Sequence, residues 1–201
     1  MTWTYWSIWM PLGAAFRTLF GMRVIGRENL ITEGPVLVAS NHESFIDPPL
    51  IGNLYQDMMW FLARKTLFTK ATNWLYTKLQ AIPVDQDRPD MASLKTIIKK
   101  LKQGDRVIVF PEGERTHDGK LGQAAPGIGL IAVKSGAAIQ PVRIRGAREA
   151  LPRGSARIKR SRISVTIGKP IRLTPEELKA AKGKEGYDRV AKRIMAAIEA
   201  L

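Results

Sequence analysis

Two side chains near the start of the chain, His42 and Asp47, have the types and spacing for acid–base chemistry. Histidine exchanges a proton near neutral pH, and a carboxylate that holds one ring nitrogen leaves the other free to act as a base. At this spacing, a regular helix would set the two side chains about 140° apart, and a strand would place them on opposite faces. A direct contact therefore requires a turn, with Asp47 returning from the start of the next helix.

The same segment has a simpler interpretation. Asn41, Ser44 and Asp47 are residue types that bind backbone N–H groups in turns and at helix starts. An isolated histidine and aspartate at this spacing occur often by chance. The spacing alone therefore favours a capped loop over a catalytic pair.

A second polar motif, Phe110–Thr116, follows a run rich in β-branched residues that ends at Pro111. Glu112 and Arg115 place charge at the end of this predicted strand, and Gly113 permits the close approach of a ligand or a backbone. Residues just past the carboxyl end of a strand commonly line the ligand crevice of an α/β sheet. A polar loop with a local Glu–Arg pair, which contributes little if exposed, explains the motif equally well.

Strand and helix patterns alternate along the chain, which predicts an α/β domain with a mixed, mostly parallel sheet flanked by helices. The predicted strands cover residues 35–40, 58–63, 106–110, 137–145 and 162–167. Apolar residues at helical spacing predict one helix across Met91–Leu101, which Gly104 is placed to end, and a final helix across Tyr187–Leu201. Thr174 and Glu177 form a capping box before that final helix.

The beginning of the chain differs in composition from the rest. Trp3, Trp6 and Trp9 are three of the five tryptophans of the protein. We therefore expect two parts, an aromatic segment at residues 1–21 and the α/β domain at residues 22–201, with no linker or repeat dividing the latter.

Pro11 interrupts the aromatic segment, and proline suits the first turn of a new helix, so we predict two short helices at residues 3–10 and 11–20. Tryptophan and tyrosine favour the membrane interface, which suggests a membrane-associating appendage. A helical hairpin packed on the core of the domain is the alternative. The longest uncharged stretch, Met1 to Phe16, is shorter than the roughly 20 residues of a transmembrane helix.

The composition limits the chemistry. The 201 residues include no cysteine, which excludes disulfides, thiolate metal sites and a cysteine nucleophile.

The net charge of +14 favours anionic partners, and residues 143–162 alone carry eight basic residues and one acid, Glu149. Anionic lipid, coenzyme A phosphates, an acidic carrier protein or nucleic acid would suit that segment, although the absence of interleaved aromatic residues weakens the nucleic-acid interpretation. A solvated loop without a specific partner is the remaining alternative.

Taken together, the two polar motifs resemble those of the glycerolipid acyltransferase family, most closely its lysophosphatidic acid (1-acylglycerol-3-phosphate) acyltransferase branch. Asn41–Asp47 matches the first family motif and Phe110–Arg115 the third. Ala81–Asp85 stands where the second motif lies, and Ile139–Val142 resembles the fourth. The order and spacing agree over about residues 22–170.

One position departs from the family pattern. The second family motif usually carries an arginine directly after its aspartate, whereas this chain has Gln86. Arg88, two residues further on, is the candidate replacement. The resemblance further implies that Arg64 and Lys65, after the second predicted strand, lie near the phosphate of the acceptor.

The resemblance also implies roles for the site residues. His42 is the expected general base, and Asp47 is expected to orient its ring. Glu112 and Gly113 are expected to position the glycerol of the acceptor, and Arg115 to hold the loop or the phosphate. Lys65 and Arg88 are the further candidates for phosphate binding, because cationic side chains suit phosphate oxygens.

The implied reaction moves a fatty acyl group from acyl-CoA or acyl carrier protein to the free hydroxyl of a lysophospholipid, on the cytoplasmic face of a membrane. The expected partners are the lysophospholipid, the thioester donor and an anionic membrane surface, with no nucleic acid, no cofactor and no metal. Another lysophospholipid or an amino-lipid is the alternative acceptor. A thioesterase and a basic nucleic-acid-binding module are the competing classes.

Overall fold

The computed structural model describes residues 3–55, 58–85, 91–125, 127–155 and 157–201. Its seven strands are β1 (Arg23–Ile25), β2 (Val36–Ser40), β3 (Met59–Arg64), β4 (Ala81–Val84), β5 (Arg106–Val109), β6 (Ala138–Arg145) and β7 (Ser164–Ile167). They form one sheet in the order β1-β7-β6-β2-β5-β3-β4. Among these strands β6 and β7 pair antiparallel, and the other neighbours pair parallel. The predicted mixed, mostly parallel sheet is confirmed.

Strand β2 lies in the middle of the sheet, between β5 and β6. All five of its residues are buried, as expected for a parallel strand covered on both faces. Ala39 pairs with Val109 of β5, so the two strands end at the same edge of the sheet. The two polar motifs that follow them are therefore neighbours in space.

Eight α-helices surround the sheet in the described part of the chain. They are α1 (Trp3–Leu19), α2 (Asp47–Gly52), α3 (Asn73–Lys78), α4 (Met91–Lys102), α5 (Gly127–Ser135), α6 (Ala147–Ala150), α7 (Pro175–Ala180) and α8 (Lys184–Glu199). Two apolar clusters fill the space between helices and sheet. One contains buried residues of α1, α2 and α6, and the other contains buried residues of α4, α5 and α8. The sheet separates these two layers.

The helices predicted across Met91–Leu101 and Tyr187–Leu201 are confirmed as α4 and α8. Ile97 and Leu101 of α4 are buried, and Gly104 follows the helix with a φ of +93°. The capping box of Thr174 and Glu177 opens α7. Gly129 lets α5 approach α8 closely, because a Cβ atom there would collide with the backbone of Tyr187.

Strands β1 and β4 were not predicted. Each has at most four residues, and β4 contains Pro83, which usually argues against a strand. Both lie at an edge of the sheet, where one side of the backbone needs no partner strand. Proline is tolerated there.

The prediction of two N-terminal helices is wrong. Residues 3–19 form the single helix α1, with Pro11 inside it. Trp9, Phe16 and Phe20 are buried against the domain, and the Trp9 ring lies next to Gly52 of α2. Packing on the domain therefore outweighs the backbone hydrogen bond that proline removes.

Helix α1 also has exposed residues, some polar and some apolar. Trp3, Met10 and Leu19 have exposed side chains, with fractions of 89%, 68% and 59%. No helix in the described ranges is long and apolar enough to cross a membrane.

Candidate active site

His42 and Asp47 are in direct contact. The distance between His42 Nδ1 and Asp47 Oδ2 is 2.7 Å, and the Asp47 side chain is fully buried. The chain turns after β2, and Asp47 is the first residue of α2. This is the turn that a direct contact between the two residues requires. It leaves His42 Nε2 as the ring nitrogen that Asp47 does not bind.

The backbone of the turn holds the Asp47 carboxylate in place. The N–H groups of Glu43 and Ser44 donate to Asp47 Oδ2 over 2.6 and 2.7 Å. The capped-loop interpretation is thus correct for the two backbone N–H groups that Asp47 binds. The same carboxylate oxygen caps the turn and contacts the imidazole, so the two interpretations describe one structure.

The second polar motif fixes the backbone of His42 from both sides. The His42 N–H donates to Glu112 Oε1 over 2.9 Å, and the His42 carbonyl accepts from the Thr116 N–H over 2.8 Å. The other oxygen of Glu112 accepts from the Gly122 N–H at 2.8 Å. Both carboxylate oxygens of Glu112 are therefore engaged with the protein. This geometry makes Glu112 a residue that positions His42.

Asn41 joins the turn to the neighbouring strand. Its side-chain amide donates to the carbonyl of Ile144 over 2.8 Å, and its side-chain oxygen accepts from the Ile144 N–H over 2.7 Å. The Asn41 side chain thereby extends the pairing of β2 with β6 beyond the end of the strand. The Ser44 hydroxyl adds a bond of 2.8 Å to the carbonyl of Leu151.

Glu43 is a buried carboxylate that the sequence did not identify. Its Oε2 accepts from the N–H groups of Ala147 and Arg148, at the start of α6, over 3.0 and 3.3 Å. Burial raises the pKa of Glu43 to about 7, helped by the nearby carboxylates of Asp47 and Glu149 and opposed by the two N–H groups. Because its partners are more than a hundred residues away in sequence, only the fold reveals this contact.

Two apolar cavities meet at His42. The α1-side cavity has a volume of about 460 Å³ and is lined by Trp9, Leu12, His42, Phe45, Pro48, Pro49, Phe61, Leu62, Ala63, Arg64, Leu67, Tyr76, Leu79, Phe110, Glu114, Arg115 and Arg153. The α4-side cavity has a volume of about 620 Å³ and is lined by His42, Leu62, Arg64, Val84, Asp85, Ser93, Leu94, Ile97, Val109, Phe110, Pro111, Glu112, Gly113, Glu114, Ala125, Gly127, Ile128 and Ile131. Both volumes are in the range of about 300–1,000 Å³ that is typical of ligand pockets.

The Phe110 ring supports the imidazole between these cavities. It stacks on His42 with ring centroids 3.9 Å apart and planes 12° from parallel. Phe110 is the residue directly after β5, so the position of this strand in the sheet fixes the stack. Together with the Asp47 contact, the stack restricts rotation of the His42 ring.

Three guanidinium groups line the α1-side cavity, those of Arg64, Arg115 and Arg153. Arg115 lies over the ring of Phe45 at 3.7 Å, and its Nη1 is buried with no hydrogen-bond partner in the described part of the chain. Burial lowers the pKa of Arg115, and the positive charges of Arg153 and Arg64 lower it further. An anion at this mouth would relieve the repulsion among the three cations.

Arg153 comes from the basic segment and joins it to the second polar motif. It donates to Glu114 Oε2 and to the carbonyl of Arg115, both over 3.1 Å, and lies 2.7 Å from His117 Nε2. The hydrogen bond from Arg153 is the main reason that the pKa of Glu114 is lowered. The sequence indicated a basic segment but gave no reason to select Arg153 within it.

The remaining predicted site residues lie in different places. Gly113 has a left-handed φ of +76° and lines the α4-side cavity. Lys65 is exposed at the start of a 3₁₀ turn (Lys65–Leu67) and lines neither cavity, whereas its neighbour Arg64 lines both. Arg88, with Gln86, falls outside the described residues. Within the described ranges no cluster of three or more His, Asp or Glu side chains is arranged to hold a metal ion.

Residues 21–145 match the family model described as Acyltransferase. The chain therefore belongs to the acyltransferase family, as its motifs predicted.

Two of the three relatives described here are named 1-acyl-sn-glycerol-3-phosphate acyltransferases. The chain is 31% identical over 157 residues to the chloroplastic 1-acyl-sn-glycerol-3-phosphate acyltransferase LPAT1 of Arabidopsis thaliana, covering 76% of this chain and 44% of that protein. It is 30% identical over 154 residues to the 1-acyl-sn-glycerol-3-phosphate acyltransferase of Bacillus subtilis, covering 75% of this chain and 74% of that protein. A lyso-ornithine lipid O-acyltransferase of Pseudomonas aeruginosa is 27% identical over 124 residues, or 61% of this chain and 47% of that protein.

The crystal structure of the 1-acyl-sn-glycerophosphate acyltransferase PlsC from Thermotoga maritima has the same fold. It superimposes with a TM-score of 0.76 and 27% sequence identity, over 96% of this chain and 78% of that one. The present chain spans less than half the length of the plant relative.

Proposed function

We propose that the protein transfers a fatty acyl group from a thioester donor to the free hydroxyl of 1-acylglycerol-3-phosphate, which gives phosphatidic acid. The observation that carries this proposal is the His42–Asp47 pair, at the junction of two apolar cavities and beside three arginines. An apolar cavity with clustered guanidinium groups at its mouth suits a lipid with a phosphate head group. The names of the relatives support the same acceptor.

In the proposed mechanism, His42 Nε2 removes the proton of the acceptor hydroxyl as its oxygen attacks the thioester carbonyl carbon. Asp47 keeps the Nδ1 proton of the ring in place and stabilises the imidazolium that forms. The carbon–oxygen bond forms, the carbon–sulfur bond breaks, and the imidazolium returns its proton to the departing thiolate. The products are the ester and the free thiol, and His42 is again neutral.

We assign phosphate binding to Arg115, with Arg64 and Arg153 beside it, because all three line the α1-side cavity. Lys65, which is exposed, is a candidate only for the outer edge of this site. Glu112 acts on the acceptor indirectly in this proposal, by holding the His42 backbone, while Gly113 gives the loop a backbone conformation that other residues rarely adopt.

Release of free thiol tests the proposed reaction. We expect release from palmitoyl-CoA to require lysophosphatidic acid and to produce phosphatidic acid in equal amounts. Palmitoyl-acyl carrier protein, supplied in parallel, identifies the preferred donor. Release that does not need an acceptor would indicate a thioesterase. No transfer with any donor to any lysolipid would contradict the proposal.

Lyso-ornithine lipid is tested as a second acceptor, because one of the relatives is named a lyso-ornithine lipid O-acyltransferase. That lipid has no phosphate group, so the phosphate-binding interaction that we assign to the three arginines is not formed. We expect lysophosphatidic acid to be preferred, and Arg115→Gln to remove most of this preference. A preference for lyso-ornithine lipid in the unmodified protein would instead support the amino-lipid alternative.

We further propose that the protein acts as a peripheral protein on the cytoplasmic face of a membrane, with the exposed side of α1 in contact with lipid. Deletion of residues 1–20 is a poor test, because it would also remove Trp9, Phe16 and Phe20 from the core. Substitutions on the exposed side of α1 avoid this difficulty.

The double variant Trp3→Glu/Met10→Glu is expected to bind anionic liposomes at least about 100-fold more weakly, since each large apolar side chain contributes roughly 1.5–3 kcal/mol on burial. Sedimentation with liposomes measures the change. Ile25→Glu/Met91→Glu is the matched control, because it makes the same charge change at two exposed apolar residues outside α1. Equal loss of binding in both variants would show that net charge, and not α1, determines binding.

A further inference from the structure

Helix α6 is held at both ends by the turn that follows β2. At the start of the helix, Glu43 Oε2 accepts from the N–H groups of Ala147 and Arg148 over 3.0 and 3.3 Å. Directly after its end, the carbonyl of Leu151 accepts from the Ser44 hydroxyl over 2.8 Å. Two neighbouring side chains of the turn therefore bind both ends of one four-residue helix.

The same two residues also hold the carboxylate of the proposed catalytic pair. Their backbone N–H groups donate to Asp47 Oδ2, while the side chains of Glu43 and Ser44 reach α6. Both residues are buried. Because Asp47 is bound by the backbone and α6 by the side chains, a substitution of either side chain leaves the N–H groups for Asp47 in place.

The position of α6 depends on such contacts. A helix of four residues has too few internal hydrogen bonds to be stable alone. Ala147 and Ala150 are fully buried, so the helix packs closely on the domain. Gly146 turns the chain into α6 with a φ of +89°, and a Cβ atom there would collide with the carbonyl of Arg162.

The chain beyond α6 carries Arg153, one of the three arginines that line the α1-side cavity. Arg153 follows Leu151 by two residues, and Pro152 between them has a backbone angle fixed by its ring. A shift of Leu151 is therefore transmitted to Arg153. The Arg153 guanidinium also donates to the carbonyl of Arg115 over 3.1 Å, which places it beside a second cation of the same cavity.

From these contacts we propose that Glu43 and Ser44 are positioning residues for Arg153. Through α6 they hold its guanidinium at the mouth of the α1-side cavity, where it binds the phosphate of the acceptor. The phosphate-binding role of Arg153 rests on the proposed function. One turn then fixes both the His42–Asp47 pair and a group that selects a phosphate-bearing acceptor.

A matched pair of acceptors isolates this role. 1-Octanoylglycerol-3-phosphate and 1-octanoylglycerol differ only in the phosphate group, so the ratio of their kcat/KM values, with palmitoyl-CoA as donor, measures the preference for phosphate. Arg153→Gln should lower this ratio roughly 10- to 100-fold, because a hydrogen bond between charged groups is lost. Glu43→Ala and Ser44→Ala should lower it by roughly 3- to 10-fold, because they displace the same guanidinium.

Two further variants distinguish positioning from general damage. Glu43→Gln keeps an oxygen that can accept from the N–H groups of α6, so it should retain most of the preference that Glu43→Ala loses. The double variant Glu43→Ala/Arg153→Gln should have nearly the same ratio as Arg153→Gln alone, because both substitutions act on one interaction.

Arg160→Gln is the charge control. Arg160 belongs to the same basic segment, is exposed and lines neither cavity. Its substitution should leave the acceptor ratio within about twofold, since exposed charges are screened by salt. Thermal unfolding checks that each variant is folded. Ser44→Ala removes a single hydrogen bond of the side chain and serves as the test if Glu43→Ala does not fold.

Three outcomes would overturn the assignment. Equal losses of kcat/KM with both acceptors in Glu43→Ala and Ser44→Ala would mean that these side chains act on the His42–Asp47 pair. Additive effects of Glu43→Ala and Arg153→Gln on the ratio would mean that they act independently. A fall of the ratio in Arg160→Gln as large as that in Arg153→Gln would mean that net charge determines the preference.

Failure of the proposed function is distinguishable, because the unmodified protein would then show no acceptor-dependent thiol release. In that case, calorimetric binding of the same two lipids still tests the placement of Arg153. Their affinity ratio should fall in Arg153→Gln and, by a smaller factor, in Ser44→Ala. An affinity ratio that is the same in all three proteins would overturn the positioning role without reference to catalysis.

Discussion

Replacement of His42 by alanine is expected to lower kcat/KM for acyl transfer by about 100- to 10,000-fold, the usual contribution of a general base. The reason is geometric as well as chemical, because the ring is held by Asp47 at 2.7 Å and by the Phe110 ring. Thiol release with lysophosphatidic acid as acceptor measures the loss. Since the ring is partly buried, His42→Gln serves as a second variant that retains more of the side-chain volume.

Asp47→Asn tests whether the pair acts as a unit. The amide can still accept hydrogen bonds from the turn but no longer stabilises an imidazolium, so we expect a loss comparable to that of His42→Ala. The double variant should be little worse than either single variant, because residues that act together are not additive. Nearly full activity of Asp47→Asn would show that Asp47 serves only to cap the turn.

The second histidine provides the control. His117 is 70% exposed and contacts Glu114 and Arg153, away from the Asp47 carboxylate. His117→Ala should change kcat/KM by no more than a few-fold and should leave the effect of the His42 substitution unchanged. A large loss of kcat/KM in His117→Ala would mean that activity depends more on the contacts around Arg153 than on the proposed base.

The sequence predicted those parts of the site that depend on short-range patterns. A contact between His42 and Asp47 requires a turn between them, because neither a helix nor a strand brings residues at this spacing together. The proximity of the two polar motifs follows from two buried, strand-like runs that are each followed by polar residues. Both inferences need only the residues themselves and the rule that such runs end at a common edge of the sheet.

The parts that could not be predicted depend on contacts between distant segments. The side chain of Asn41 pairs with Ile144, and Glu43 binds the start of α6, in each case across about one hundred residues. Nothing near Asn41 or Glu43 in sequence indicates these partners. The choice of Arg153 among eight basic residues depends in the same way on where the fold places its neighbours.

The prediction of two helices separated at Pro11 was wrong because it also lacked contacts between distant segments. Local preference favours a break at proline, but Trp9 and Phe16 lie on either side of it and both pack against the domain. A continuous helix buries both side chains. Local sequence shows the cost of the proline, whereas the compensating packing is visible only in the folded protein.

Glu43→Gln is expected to raise the free energy of unfolding at pH 8. At pH 5.5 the increase should be much smaller. Burial raises the pKa of Glu43 from 4.5 to about 7, so the folded state retains its proton over a range where the unfolded state has lost it. The contribution of Glu43 to stability is therefore fully present below about pH 4.5 and is lost as the pH rises through 7. Glutamine resembles the protonated acid and does not titrate.

Urea unfolding of both proteins at pH 5.5 and pH 8 measures this effect. The free energy of unfolding of Glu43→Gln, relative to the unmodified protein, should rise by about 1–3 kcal/mol between the two pH values, at roughly 1.36 kcal/mol per pKa unit. Glu149→Gln is the control, because it removes one carboxylate that raises the pKa of Glu43 and leaves the buried acid in place. It should retain most of the pH dependence.

A difference between Glu43→Gln and the unmodified protein that is the same at both pH values would mean that Glu43 is ionised throughout this range. The two N–H groups at the start of α6 would then outweigh burial and the charge of Asp47. If the predicted dependence is found, a buried acid next to Asp47 loses its proton near neutral pH.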